Sequence, residues 1–400
     1  MTRRVLPLST LYPNAHMPRF GTFVARSLEA LAARGDWNVT LINPVGIPPI
    51  VFGKYRPLAE AAVSGMENGV EVHRPTFSLI PKIGARSNPS RVAKAVLSVA
   101  RGLHERQPFD IVDAQFFWPD GPAAAQVAQA LGLPLSIKAR GSDITFWGEK
   151  DFARHAMVKA ARQAGGLLSV SKALARDMID IGMPAEKITL HYTGLDRDRF
   201  RPLDHVGLRA RLGERLGIAL PAAEKLLVTV GALIERKGQD IVIGALAAIP
   251  DARLLLVGTG EDEAHLRRLA DDLGVGERVH FLGSVDHDLL PVILTAADAM
   301  VLPSANEGLA NAWVEALACG TPLVITDAGG ARELVTSRDA GLIVERNPNA
   351  VAKGIRDLLA APPTPEQASA TVAQFSWQGN ADALASHYER IVQTSARTGA

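Results

Sequence analysis

Short apolar runs alternate with amphipathic helical stretches from one end of the chain to the other. In the first half, Val5–Leu8, Asn38–Ile42, Val70–His73, Ile111–Ala114, Leu135–Lys138, Leu167–Val170 and Ile188–His191 read as strands. Between the first two, Phe20, Val24, Leu28 and Leu31 recur at near four-residue spacing and predict one apolar face on a helix over 20–34. In the second half the strand runs are Leu226–Val230, Leu254–Val257, Val279–Leu282, Ala299–Leu302, Leu323–Thr326 and Leu342–Val344. Each meets a turn residue and then a helical stretch. Repeated strand–helix units imply parallel sheets covered on both faces. Two such runs predict two doubly wound α/β domains, residues 1–202 and 203–375, with a last helical segment over 376–400. Two segments break the rhythm and read as irregular: Pro44–Gly69, and Ala361–Gln374 with its three prolines.

A chain of 400 residues exceeds what one core usually supports, which agrees with two domains. No apolar run approaches the 18 or so residues of a membrane span, and the opening MTRRVLPLSTLYP is too short and proline-broken for a secretory signal. Cys319 is the only cysteine, which excludes a disulfide framework or a cysteine-built metal site. A cytoplasmic location follows. Net charge is near zero, but residues 1–202 carry 26 basic against 17 acidic side chains, and 203–400 carry 17 against 25. That asymmetry suggests an anionic surface as a partner of the first half. No basic cluster interleaved with aromatics points to nucleic acid, so anionic lipid fits better. Arg91, Lys94 and Arg101 fall on one side of a predicted helix, with Val92, Val96, Val99 and Leu103 mostly opposite.

Open α/β sheets bind ligands at the carboxyl ends of their strands. In the second half those ends carry the candidate chemistry. GALIERKG, residues 231–238, places Arg236 and Lys237 where two cations could neutralise a diphosphate. GTG, residues 258–260, lets the backbone near Gly258 approach a ligand. It lacks the third glycine of a dinucleotide fingerprint, since Glu263 stands there. Backbone groups around Gly283–Val285 could pair with a nucleobase edge. The segment PSANEGLANAWVEALACG is read as a helix opening near Gly308, capped by Ser304 or Asn306. Its free amides, Gly308 and Leu309 among them, would cradle a phosphate. Glu307 lies at its mouth, and Glu315 some ~10 Å along. A carboxylate only accepts hydrogen bonds, and a ribose diol offers two donors. Gly329–Gly330 offers a further close approach. In the first half, the loop Tyr12–Gly21 lies at the first strand end, the aromatic DAQFFW stretch at another suits a sugar face or a lipid chain, and Arg140 with Asp143 at a third suit polar recognition. No histidine spacing suits a metal, and no serine sits in a nucleophile elbow.

The ordered series GALIERKG, GTG, FLGSV, AADAMVLPSANEG, EALACGTPLV and AGGARELV resembles the donor half of retaining glycosyltransferases of family four. YPN…GTFV, RGSDI and SKALARDM…YTGLDRDRFRP resemble its acceptor half, so the likeness covers most of the chain. It implies a GT-B fold, two Rossmann-like domains facing across a cleft, with the last helix crossing back to the first domain. It implies that Glu315 holds the nucleotide ribose, Glu307 contacts donor-sugar hydroxyls, and Lys237 with Arg236 stabilises the departing diphosphate. The Gly308 and Leu309 amides would hold a phosphate, and Gly21 would lie in a loop closing over the donor.

Two departures from the family stand out. Ala232 occupies a place where members commonly carry arginine, and Asp113-Ala114-Gln115 replaces a common His-x-His. The function so implied is sugar transfer, with retention, from a nucleoside-diphosphate sugar (UDP favoured over GDP) to an acceptor hydroxyl. The acceptor would be a lipid-linked or polysaccharide glycan of bacterial surface polysaccharide synthesis, met in the cytoplasm or at the inner membrane face. Tyr12, Arg140 and Asp143 would serve the acceptor, and neither a metal nor another cofactor is expected. A nicotinamide-dependent oxidoreductase or a non-catalytic sugar-binding protein would use a similar scaffold.

Overall fold

A computed structural model describes residues 2–51, 56–80, 84–286 and 288–398. The chain forms two compact units, Met1–Gly194 with Trp377–Ala400, and Leu195–Ser376.

The first unit contains β1 (Arg3–Leu8), β2 (Trp37–Ile42), β3 (Val45–Ile47), β4 (Gly65–Glu67), β5 (Val70–His73), β6 (Thr76–Ser78), β7 (Ile111–Ala114), β8 (Leu135–Ala139), β9 (Gly166–Ser169) and β10 (Ile188–Leu190). Its main sheet runs β10-β9-β8-β7-β1-β2-β5-β4, with β3 and β6 forming a separate pair. All pairings are parallel except β4 with β5. Helices cover both faces, which is why β1, β2 and β7 to β9 are buried almost throughout.

The segment read as irregular is built in part. β3 and β4 flank a short helix, Arg56–Glu60. Asn68 and Gly69 adopt φ 47° and 83° between β4 and β5. Left-handed residues of this kind suit the right-handed twist of a tight hairpin, and Asn-Gly is its strongest local signal.

The helix predicted over 20–34 spans Thr22–Ala33 and buries Val24, Leu28 and Leu31. The last helix, Trp377–Thr398, belongs to this first unit. Leu384, Tyr388 and Ile391 enter the same core as Val24, Leu28 and Trp37, and the rings of Trp37 and Tyr388 meet edge to face at 5.4 Å. A polar knot adds direction. Asn380 Oδ1 accepts from Ser27 Oγ at 2.7 Å, and Asn380 Nδ2 donates to the Tyr192 carbonyl at 2.7 Å. Buried His191 bonds Lys138 Nζ through Nδ1 at 2.7 Å and the Asn380 carbonyl through Nε2 at 2.8 Å. A carbonyl only accepts, so the ring carries its proton on Nε2 and is neutral. Burial depresses the pKa of both Lys138 and His191 well below their ordinary values.

Gly194 makes the seat for Trp377, since a Cβ there would lie 2.1 Å from the indole ring. Gly194→Ala is therefore expected to cost about 1–3 kcal/mol by overpacking. Thermal unfolding checks this, and an unchanged midpoint would mean the ring gives way freely.

The second unit carries β11 (Lys225–Val230), β12 (Ala252–Val257), β13 (Val279–Gly283), β14 (Ala299–Leu302), β15 (Leu323–Thr326) and β16 (Gly341–Val344). They form one parallel sheet, ordered β13-β12-β11-β14-β15-β16. Strand order thus reverses between β11 and β14, the place where doubly wound sheets open a crevice. β11 and β14 pair only through Leu227 with Ala299 and Val228 with Met300. A little further on, Thr229 Oγ1 bonds the Val301 carbonyl at 2.7 Å instead.

Candidate functional site

Around the β11/β14 reversal the second unit gathers most of its predicted site residues. After β11 the chain turns through a short 3-10 segment, Glu235–Lys237, and enters the helix Gln239–Leu246 at Gly238. Gly238 has φ 75°, and a Cβ on it would meet the Pro303 carbonyl oxygen at 2.5 Å. The loop after β14 therefore lies directly against this turn. The Ala305 amide donates to the Arg236 carbonyl at 2.7 Å, and Arg236 Nη1 donates to the Asn306 carbonyl at 3.0 Å.

These backbone ties bring Lys237 Nζ onto Glu307 Oε1, a nearly buried ion pair. Arg236 Nη1 stands 3.8 Å from the same oxygen. Arg346, beyond β16, laces the two loops by donating to the Pro303 and Glu235 carbonyls, each at 3.0 Å. Sequence reading missed Arg346, because only the fold shows that two loops need one donor between them.

The loop after β14 departs from the predicted helix start. The helix spans Asn311–Ala318, with Ala310 as its N-cap and no side-chain cap. Ser304 Oγ is buried without a partner among the described residues. Residues 304–310 stay a loop because the turn after β15 clamps them. The Gly330 amide donates to the Gly308 carbonyl at 2.8 Å. A Cβ on Gly329 would lie 2.0 Å from the Glu307 carbonyl oxygen. The consequence is a run of donors. Among the described residues, the amides of 306–312 have no acceptor, whereas Trp313 N reaches Ala310 O at 3.0 Å. Buried Gly308 and Leu309 lie inside that run. Consecutive unpaired amides at a helix start form an anion-binding concavity.

Glu315 sits four residues into this helix, about 6 Å along the axis instead of the ~10 Å expected from an earlier start. Its neighbours Trp313, Val314, Ala316 and Leu317 are buried. Glu315 is partly buried, and among the described residues its carboxylate has no ion-pair or hydrogen-bond partner. Burial pushes its pKa up to about 7. The glycines after β12 serve the fold. A Cβ on Gly258 would lie 1.9 Å from the Gly231 carbonyl oxygen, and one on Gly260 2.1 Å from that of Leu233. Gly258 thus makes its close approach to the neighbouring turn. Val285 follows β13, partly buried.

The first-unit candidates divide sharply. Tyr12 packs in the hydrophobic core at 2% exposure, so its ring is not presented to a ligand. Gly21, at φ 72°, lets the helix Thr22–Ala33 start against Leu11, whose carbonyl carbon would lie 2.5 Å from an added Cβ. Asp143 is fully buried and accepts from the amides of Phe117, Arg140 and Gly141 at 2.9, 3.1 and 2.8 Å. It shapes its own loop and has no accessible oxygen to offer an acceptor. Burial raises its pKa against the pull of those amides. Arg140 alone of the three is only partly buried. The helix carrying Arg91, Lys94 and Arg101 spans Asn88–Arg106 and buries Val92, Val96 and Leu103 in the core, so that face is unavailable to lipid.

Among the described residues no three His, Cys, Asp or Glu side chains gather as a metal site, and no helix is long and apolar enough to cross a membrane. Residues 20–194 match the family described as glycosyl transferase 4-like domain, and residues 215–374 match glycosyl transferases group 1. The chain is 35% identical over 387 residues to D-inositol 3-phosphate glycosyltransferase of Mycobacterium tuberculosis, covering 90% of this chain and 79% of that one. It is 27% identical over 406 residues to the putative teichuronic acid biosynthesis glycosyltransferase TuaC of Bacillus subtilis, covering 98% and 100%. Among solved structures, Anabaena HepE in complex with UDP and glucose superposes with a TM-score of 0.69 at 23% identity, covering 98% of each chain.

Proposed function

Since this chain belongs to the group 1 glycosyl transferases, family-four glycosyltransferases of GT-B fold, we propose that it moves a sugar from a nucleoside-diphosphate sugar to an acceptor hydroxyl with retention at the anomeric carbon. One observation carries the donor reading. The Lys237–Glu307 pair, and the amides of 306–312 and the Glu315 carboxylate, which have no partner among the described residues, all belong to one loop-and-helix system at the strand-order reversal. The amides, Gly308 and Leu309 included, hold a phosphate. Lys237 and Arg236 neutralise the charge that grows on the leaving diphosphate. Glu315 accepts from the ribose diol, and Glu307, fixed by Lys237, accepts from a donor-sugar hydroxyl.

Stabilisation that strengthens as the C–O bond to phosphate breaks lowers the barrier differentially. The acceptor oxygen bonds the anomeric carbon as that bond breaks. Its proton passes to the departing phosphate oxygen on the same face, so no covalent nucleophile is needed. UDP is favoured over GDP, the base being read by backbone groups near Val285. The UDP bound to the HepE neighbour supports a UDP-sugar, and the teichuronic acid biosynthesis named for TuaC is consistent with a glycan acceptor, lipid-linked or polymeric. The reaction would then lie in the cytoplasm. Attachment to an anionic membrane face would rest only on exposed cations such as Lys94 and Arg101.

A panel of nucleotide sugars tests this. Release of UDP from one UDP-sugar, with an α-linked product from an α-linked donor, is the expected result. Inversion, or a GDP-sugar as the sole substrate, would overturn the corresponding part. With charge neutralisation assigned to protein groups, turnover should survive exhaustive EDTA. Loss that only a divalent metal restores would refute the metal-free reading.

A further inference from the structure

Arg140 is a cation whose direct partners are all neutral. It leaves β8 at the carboxyl edge of the first sheet, one strand away from the β1/β7 reversal of strand order. Its Nε donates to the Gln115 carbonyl at 2.7 Å and its Nη2 to Gln115 Oε1 at 2.5 Å. Its guanidinium carbon lies 4.7 Å from the centre of the Phe23 ring. Among the described residues, Nη1 donates to nothing and no carboxylate forms an ion pair with the group. Two buried acids, Asp143 and Asp113, lie near enough to act on its charge, but neither forms an ion pair with it among the described residues. Asp143 takes three backbone amides, and Asp113 accepts from Gln115 Nε2. That last bond matters, because it turns the oxygen of the fully buried Gln115 amide toward Arg140. Asp113, Gln115 and Phe23 thus hold the fork at one angle with an edge left open. Burial lowers the Arg140 pKa to about 10, which leaves the group charged at neutral pH.

We propose that Arg140 receives an oxyanion, phosphate or carboxylate, carried by the acceptor sugar, and that Gln115 is its positioning residue. Guanidinium forks match such groups in two parallel hydrogen bonds. A ring-stacked fork with a free edge loses little freedom on binding. Open sheets take ligands at this edge. The inference rests on the glycosyl-transfer reading and narrows its acceptor to an anionic sugar.

The test is calorimetry on the full chain saturated with UDP, so that donor-side phosphate sites are filled. The probes are glucose, glucose 6-phosphate and glucuronate at matched ionic strength. One or both anionic sugars are expected to bind roughly tenfold or more tighter than glucose, and the better one tells phosphate from carboxylate. Arg140→Gln should abolish that preference, and Gln115→Leu should weaken it. Equal binding of all three by the wild-type chain, or an undiminished preference in Arg140→Gln, overturns the proposal. UDP binding is scored separately on each protein. It reports that the variant is folded, and its failure in the wild type would refute the nucleotide reading alone. Should Arg140→Gln not fold, the wild-type comparison together with Arg140→Lys still decides.

Discussion

Lys237→Ala is expected to lower kcat about a thousandfold, the scale seen when one preorganised charge-stabilising group is removed from an active site. The reason is where the cation is held. Lys237 sits in a short turn clamped by Gly238 against Pro303, and its Nζ rests on Glu307. Charge growing on a diphosphate at the unpaired amides of 306–312 would find that ammonium already oriented, so little reorganisation is left for the transition state.

Ala232 adds no second cation at the start of the turn, which concentrates the load on Lys237. Folding should suffer much less. Arg236 remains 3.8 Å from the same Glu307 oxygen as a partial counter-ion. A loss of about 1–2 kcal/mol covers the weakened pair, less than the removal of one partner of a fully buried pair. Steady-state kinetics and thermal unfolding on one preparation separate the two effects. Turnover within threefold or so of wild type would remove Lys237 from the chemistry, and a collapsed melting midpoint would make it structural.

The sequence was legible where the signal is local and periodic. Every strand predicted from an apolar run is present, and the turn glycines and the Glu307 loop fall on strand ends as parallel topology requires. What escaped depends on partners far along the chain. Ser304 and Asn306 look like caps, yet Gly329 and Gly330 clamp Glu307 and Gly308 and delay the helix to Asn311. Tyr12 looks like a loop aromatic, but the surrounding strands and the last helix bury it. Gly258 looks like a place for a ligand, and the occupant is the Gly231 carbonyl.

Other features do carry a local signal. Asn68-Gly69 announces its hairpin in two letters. Thr364 and Gln367 form a capping box at the helix Pro365–Ala370, inside a segment read as irregular. Asp143 follows a serine at a strand end, a local pattern that serves loop and cap hydrogen bonds as readily as a ligand.

Glu315→Gln is expected to weaken UDP binding by roughly 10- to 100-fold while making the free protein more stable at pH 8. Both effects come from one unpaired carboxylate. Its folded pKa stands near 7, above the ordinary 4.5. The folded state therefore holds a proton that the unfolded chain has released between these values. Stability contributed at this site is present below about 4.5, falls as pH rises toward 7, and stays low above it. Allowing for partial exposure, the penalty at pH 8 is on the order of 1–3 kcal/mol. Glutamine carries no charge and escapes it, so the two proteins should converge near pH 4.

A diol that donates to the ionised form reverses the preference, and nucleotide binding should expel the proton. Wild-type affinity should then rise from pH 5 to about 7 and level off. UDP phosphate titrates in the same range, so the measurement is the difference between wild type and Glu315→Gln, by calorimetry in buffers of unlike ionisation heat. Equal proton release from both proteins would mean that Glu315 does not hold the ribose. A variant no more stable than wild type at pH 8 would mean that the carboxylate costs the fold nothing.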